Sequence, residues 1–171
     1  GFLITGILLR AKESPRYYPS FYARRVLRIF PLYYTVLLFF LVLVPRIPLF
    51  EAANDFWYPG AAREGIWYWL YLTNLQIARL GVWQHQTLDI TWSLAIEEHF
   101  YLLWPLVVRR VPERRLVAVC AALFAAALGL RVWLVASGAS PLIAYTATPA
   151  RFDTLAAGAA LAVWARRAGG L

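Results

Sequence analysis

Between Thr91 and Leu106 the chain reads TWSLAIEEHFYLLWPL, which sets Ser93, Glu97 and Tyr101 at i, i+4 and i+8 inside an otherwise apolar run. On a helix that spacing places all three on one face. Glu98 lies about 100° round, since a turn takes 3.6 residues. A carboxylate beside serine and tyrosine hydroxyls in a low dielectric can exchange protons near neutrality. An ionisable group at bilayer depth costs roughly 2.5 to 3.5 kcal/mol, so it faces a protein interior or a wet cavity and marks a functional site. The competing reading pairs the glutamates with arginines of neighbouring helices, Arg131 or Arg151. Trp92 and Tyr101 also suit interfacial anchoring. His99 falls on a different face from Ser93 and Glu97, which weakens its case as a general base.

Two further clusters carry charge. Arg24, Arg25 and Arg28 precede an apolar run, and guanidinium groups so spaced can grip phosphates bidentately; the plainer role is to orient a helix or touch anionic lipid. Arg151 and Asp153 open the last apolar run, where they could line a cavity or form a local salt bridge. No Gly-x-Ser-x-Gly elbow, His-Glu-x-x-His pair or phosphate loop occurs. A soluble-type hydrolase or nucleotidase is poorly supported.

The elements that must position these residues are set by composition. Of 171 residues 61% are hydrophobic and only 15% charged, more apolar surface than a soluble domain of this size buries. The expectation is an all-α, polytopic transmembrane bundle. The net charge of +8 sits in short clusters between apolar runs, the pattern of cytoplasmic loops and not of a nucleic-acid-binding stripe. The single cysteine, Cys120, excludes a disulfide framework and a cysteine metal site, and no metal is expected.

Along the chain, residues 1–9 read as the end of a helix in which Gly1 and Gly6 allow close approach. Residues 10–28 read as a basic cytoplasmic loop and 29–44 as the first complete span. Residues 45–64 read as a probable outer loop, closed in front by Pro45 and Pro48. Residues 66–77 are apolar and aromatic but too short to cross, so they read as re-entrant or interfacial. With that segment not crossing, spans over 91–106, 116–136 and 152–164 keep every arginine cluster on one side. That makes about four spans in one partial domain over 1–171. Glu97 and Glu98 then lie about a third of the way in from the outer face, nearer an acceptor than a phosphate-bearing donor.

The clusters together resemble the integral-membrane acyltransferase family 3, which includes O-acetylases of lipopolysaccharide and peptidoglycan. The matching pieces are Gly1-Phe2-Leu3-Ile4-Thr5, Arg24-Arg25-Val26-Leu27-Arg28-Ile29-Phe30-Pro31, Tyr71-Leu72-Thr73-Asn74, the run from Thr91 to Pro105, and Arg151-Phe152-Asp153-Thr154-Leu155-Ala156-Ala157-Gly158. The third is loose and the second, fourth and fifth are specific.

The resemblance implies a multi-pass protein of the bacterial inner or plasma membrane, with about ten spans in full. It implies transfer of an acyl group, in the main acetyl, from cytoplasmic acyl-CoA to a hydroxyl of a glycan or other cell-envelope acceptor, with membrane lipids as surroundings and no nucleic acid. Under it Arg24, Arg25 and Arg28 hold CoA phosphates, while Glu97, Glu98, Ser93 and Tyr101 form the catalytic part. Trp92, Asn74, Arg151 and Asp153 line the substrate path. The family's histidine, a general base or acyl carrier, belongs upstream of Gly1, and His99 stands where many relatives carry Gln. A fragment without turnover of its own is therefore expected. A proton-coupled transporter and a non-catalytic membrane scaffold are the alternatives that the same residues allow; the acyl group, the acceptor and the oligomeric state stay open.

Overall fold

The apolar runs fold as helices. A computed structural model describes residues 1–47, 65–85 and 87–169, and every regular element among them is helical. In chain order these are α1 (Phe2–Arg10), α2 (Tyr17–Leu37), α3 (Ile66–Trp69), α4 (Thr73–Leu80), α5 (Thr91–Arg110), α6 (Glu113–Ala136), α7 (Pro141–Thr146) and α8 (Thr148–Arg167). Past Leu37, α2 continues as a π-helical turn, Leu38–Leu43, and a 3-10 turn, Val44–Arg46. The expected outer loop lies, for residues 48–64, outside the described residues.

Two expectations about element bounds are corrected. Residues 17–28 are not loop but the first half of α2. Tyr17 and Phe21, one turn apart, are both buried in the main core, and Pro19 falls in the first turn, where a missing N–H removes no intrahelical bond. The basic connection therefore shrinks to the short turn between Arg10 and Tyr17. Residues 66–77 do not form one helix either. Tyr71 takes φ 55°, a left-handed conformation uncommon outside glycine, and separates α3 from α4. At four and eight residues, neither reaches across a core of roughly 30 Å.

Two rods, Tyr17–Arg46 and Glu113–Ala136, are long and apolar enough to cross a membrane. Helices α5 and α8 have 20 residues each, about 30 Å of helix, but carry ionisable groups. Helix α6 buries only Leu116, Cys120, Ala127 and Leu134 along a single seam, leaving Phe124, Leu128, Val132 and Trp133 facing outward. Such a helix suits an apolar surrounding.

Contacts at the helix ends fix the directions. Lys12 Nζ donates to the Val111 carbonyl at 2.6 Å, the Arg109 guanidinium lies over the Tyr17 ring, and Arg166 pairs with Glu113 at 3.4 Å. The end of α1, start of α2, end of α5, start of α6 and end of α8 thus share one basic pole. Helix direction alternates along the chain, α3 and α4 making no crossing. The main core collects Ile4 and Leu8, Phe21, Phe100 and Trp104, Cys120, and Ala159 and Val163 from α1, α2, α5, α6 and α8.

Helix α8 packs between α6 and α1 through small residues, with Ala156, Ala159 and Ala162 fully buried. Against α1 the approach is closest at a glycine pair. A Cβ on Gly158 would sit 2.9 Å from the Phe2 backbone nitrogen, and one on Gly1 would run into the Leu155 carbonyl. Backbone cannot step aside as a flexible side chain does, so the two helices would have to separate. In the full-length protein Gly158→Ala is expected to lower stability by about 1 to 3 kcal/mol, while Ala157→Ser, at an exposed position, stays within about 0.5 kcal/mol of the parent. Thermal unfolding of both variants in detergent checks this.

Candidate functional site

The site grows from the apposition of α2 and α5, which run antiparallel. Pro105 lies inside α5 and cannot donate to the Tyr101 carbonyl one turn back. Helix α2 supplies donors. The Tyr17 hydroxyl reaches the Pro105 carbonyl and the Tyr22 hydroxyl the Leu102 carbonyl, each at 3.0 Å. One turn on, the Arg25 guanidinium lies 4.6 Å from the centre of the Tyr101 ring. The Tyr101 hydroxyl donates to Glu97 Oε2 at 2.8 Å.

These side chains border a cavity of about 640 Å³, lined by Arg10, Arg25, Arg28, Glu97, Tyr101 and apolar residues of α1 and α5. A neighbouring cavity of about 320 Å³ adds Arg24 and shares Arg25 and Arg28. Of the three arginines singled out in the sequence, Arg25 and Arg28 share a cavity with the Glu97–Tyr101 pair, and Arg24 lines only the neighbouring one. Glu97, expected nearer an acceptor than a phosphate-bearing donor, lines the same cavity as Arg25 and Arg28. Because α2 begins at Tyr17, Arg25 stands eight residues along it, roughly 12 Å from the basic pole at 1.5 Å per residue, level with Tyr101 and about one turn short of Glu97.

Glu97 also borders a second space. A pocket of about 120 Å³ is lined by Trp92, Ser93, Ile96, Glu97, Arg151, Thr154 and Leu155. The i, i+4, i+8 face predicted for Ser93, Glu97 and Tyr101 is thus assembled, with Glu97 at the join between the two spaces. Glu98 points elsewhere. It lines none of these cavities, its Oε1 is buried without a hydrogen-bond partner, and it lies within electrostatic reach of Tyr34 and Tyr71. Burial lifts the Tyr71 phenol above its ordinary pKa, so its hydroxyl, also without a partner, remains protonated.

The Arg151 and Asp153 pair divides. Asp153 forms its ion pair with Arg131 of α6, because two residues along a helix turns a side chain about 200°. Arg151 lies instead over the rings of Trp92 and Tyr145, at 5.8 and 5.2 Å. Asn74 lines none of the cavities described above. It is fully buried and donates to the Thr146 carbonyl and to Thr148 Oγ1, at 3.1 and 2.7 Å.

Thr148 continues that brace. With its oxygen accepting from Asn74, its hydroxyl proton is free for His99 Nδ1 at 2.8 Å, and the His99 ring also hydrogen-bonds the backbone of Tyr71. His99 is therefore tied to α4, α8 and the strained turn between α3 and α4. Sequence reasoning missed this role, and it missed Arg10, Tyr145 and Asp89. Arg10 was legible in principle, since Leu3, Ile7 and Arg10 recur at i, i+4 and i+7, one helical face. Asp89 accepts from the Tyr68 hydroxyl at 3.0 Å and from the His85 N–H at 2.8 Å; both partners depend on the fold, and no spacing announces them.

With this geometry in hand, comparison with known proteins is informative. The chain is 31% identical to the putative peptidoglycan O-acetyltransferase YrhL of Bacillus subtilis (strain 168), over 96% of this chain and 27% of that protein. It is 29% identical to the O-acetyltransferase OatA of Staphylococcus aureus (strain NCTC 8325 / PS 47), over 95% of this chain and 29% of that protein. It is a distant relative of both. An uncharacterized protein of Haemophilus influenzae is 31% identical over 63% of this chain and 44% of its own length. No protein-family model and no solved structure matches. The chain spans less than a third of the two named relatives.

The brace yields a prediction. A glutamine at position 99 can accept from Thr148 through its carbonyl and donate to Tyr71 through its amide, so His99→Gln is expected to leave stability within about 0.5 kcal/mol. His99→Leu removes the partner of the Thr148 hydroxyl and of the Tyr71 backbone and costs about 1 to 3 kcal/mol. Denaturation of the two variants side by side distinguishes a brace from a catalytic histidine, for which both would lose activity at unchanged stability.

Proposed function

We propose that this chain is part of a membrane O-acyltransferase of the acyltransferase family 3 type, an O-acetyltransferase that draws on acetyl-CoA or another acyl-CoA and delivers to a hydroxyl of a cell-envelope glycan. The observation that carries the reading is the position of Glu97 between two spaces of different character. One has three arginines around about 640 Å³, a volume within the usual range of ligand pockets. The other is small and bordered by Trp92, Ser93 and Arg151. Distant relatedness to proteins named as O-acetyltransferases over nearly the whole chain supports it further.

In this reading Arg10, Arg25 and Arg28 draw the donor's phosphates toward the first cavity. Among the described residues none of the three has an ion-pair partner, so their charge is available to a ligand. The acceptor hydroxyl approaches from the Ser93 side. Its oxygen attacks the thioester carbonyl carbon, its proton passes to the base beside it, and the carbon–sulfur bond breaks, the sulfur leaving as the thiol with a proton. Glu97 is the carboxylate at that junction, and Tyr101 holds one of its oxygens so that the other faces the reacting hydroxyl. The two apolar rods, with α5 and α8 between or beside them, are the frame of a multi-pass membrane domain, and a bacterial plasma membrane is the expected setting.

The test uses the full-length protein in detergent. Arg25→Ala or Arg28→Ala is expected to weaken acetyl-CoA binding about 10- to 100-fold, the loss of one charge-assisted contact of about 1.5 to 3 kcal/mol, and to flatten its salt dependence. Glu97→Gln is expected to keep donor binding and lower turnover by about 10² to 10⁴. Equilibrium binding and steady-state kinetics read the two separately. Unchanged donor affinity in both arginine variants overturns the donor assignment, and absence of acyl-CoA binding by the parent protein favours a transporter.

A further inference from the structure

The small pocket on the far side of Glu97 has a chemistry of its own. Arg151 lies over two aromatic rings, and the rings of Trp92 and Tyr145 are themselves 4.8 Å apart at 43°. Three side chains from α5, α7 and α8 thus form one open-faced cluster; Tyr145 remains 47% exposed. The other acid of that helix end, Asp153, is taken by Arg131. Among the described residues no carboxylate lies within ion-pair distance of Arg151. Its charge is held in place by the rings but not neutralised.

The hydroxyls of the pocket are oriented as well. Ser93 donates to the Ile90 carbonyl at 3.3 Å and Thr154 to the Arg151 carbonyl at 3.2 Å. Each spends its proton on backbone and keeps its lone pairs for an incoming O–H donor. The pocket therefore offers an aromatic surface, two acceptor oxygens, one free cation and, at its inner edge, Glu97. An aromatic face beside hydroxyl acceptors suits the C–H face and O–H edge of a sugar ring, and a guanidinium suits a carboxylate. Arg79 makes a useful contrast. It too lies over a tryptophan, Trp67, at 5.2 Å, but it borders none of the cavities described here, so a cation over a ring does not by itself make such a site.

We propose that Trp92, Ser93, Tyr145, Arg151 and Thr154 form an acceptor subsite that binds an acidic saccharide. The ring rests on the aromatic pair, the carboxylate meets Arg151, and a hydroxyl is directed at Glu97. This rests on the acyl-transfer reading and adds to it a charge requirement on the acceptor. A lipid phosphate is the other anion that an arginine flanked by tryptophan and tyrosine attracts. The saccharide is favoured because the pocket continues to Glu97, a carboxylate that accepts from a sugar hydroxyl and repels a phosphate placed beside it.

The experiment measures binding without turnover, in the full-length protein in detergent, by saturation-transfer NMR with two matched probes, methyl β-glucuronide and methyl β-glucoside. The glucuronide is expected to bind at least 10-fold more tightly than the glucoside. Arg151→Gln is expected to erase that preference by weakening the glucuronide far more than the glucoside, Arg151→Lys to restore part of it, and Trp92→Leu to weaken both sugars. Equal binding of the two probes by the parent protein overturns the proposal, as does a preference that survives Arg151→Gln. If vesicles containing phosphatidylglycerol abolish glucuronide binding in proportion to their anionic lipid, Arg151 is a lipid contact and the proposal is also overturned. Acetyl-CoA binding measured on the same samples keeps the two readings apart. Its loss removes the acyl-transfer reading, whereas the glucuronide preference stands or falls by itself.

Discussion

The contact on which the rest depends is Arg25 resting on Tyr101 while Tyr101 holds Glu97. It joins a cation of α2 to an acid of α5 without a direct ion pair. A ring between the two charges attracts the guanidinium through its face and binds the carboxylate through its hydroxyl, so both remain near each other yet open to a ligand. A closed salt bridge would neutralise both and fill the space between them. The cavity of about 640 Å³ exists because the pairing is indirect.

That contact requires α2 and α5 to hold one register. Two tyrosines of α2 supply it through hydroxyls, Tyr17 and Tyr22 to the backbone near Pro105, and Tyr33 ties α2 to α3 through the Tyr68 carbonyl at 2.6 Å. In an apolar surrounding each such bond satisfies a backbone acceptor that water cannot reach. A slide of α2 by one turn would strand several of them at once. The polar groups of the site and of its frame are therefore spent differently. In the brace Asn74, Thr148 and His99 bond one another in series, whereas the cations of the cavities, Arg10, Arg25, Arg28 and Arg151, have no ionic partner among the described residues.

Periodicity made some of this readable in the sequence and left the rest hidden. The helical spacing of Ser93, Glu97 and Tyr101 is a local property, and their shared face follows from it. The non-crossing character of residues 66–77 followed from length, although the break itself turns on the backbone of Tyr71, which no propensity announces. The start of α2 was misplaced because a run of Arg and Pro reads as loop when taken alone. It is helical because Tyr17 and Phe21 bury against α5, a tertiary effect that overrides local composition. Partner choice was the least legible: Asp153 lies two residues from Arg151 and yet pairs with Arg131, since helix geometry turns neighbours apart and only the packing of α8 on α6 decides which cation it meets.

The adjacent glutamates show how that rule assigns function. Both cost the same to place in an apolar helix, and neither the sequence order nor the residue type separates them. Their angular offset does: Glu97 falls on the face that α2 and α8 leave open, while Glu98 turns toward the tyrosines around the α3–α4 junction. Glu98 keeps one buried oxygen unpaired, and the Tyr71 hydroxyl is unpaired too. Glu97 lines the two cavities, whereas Glu98 stands behind the helix face that carries it.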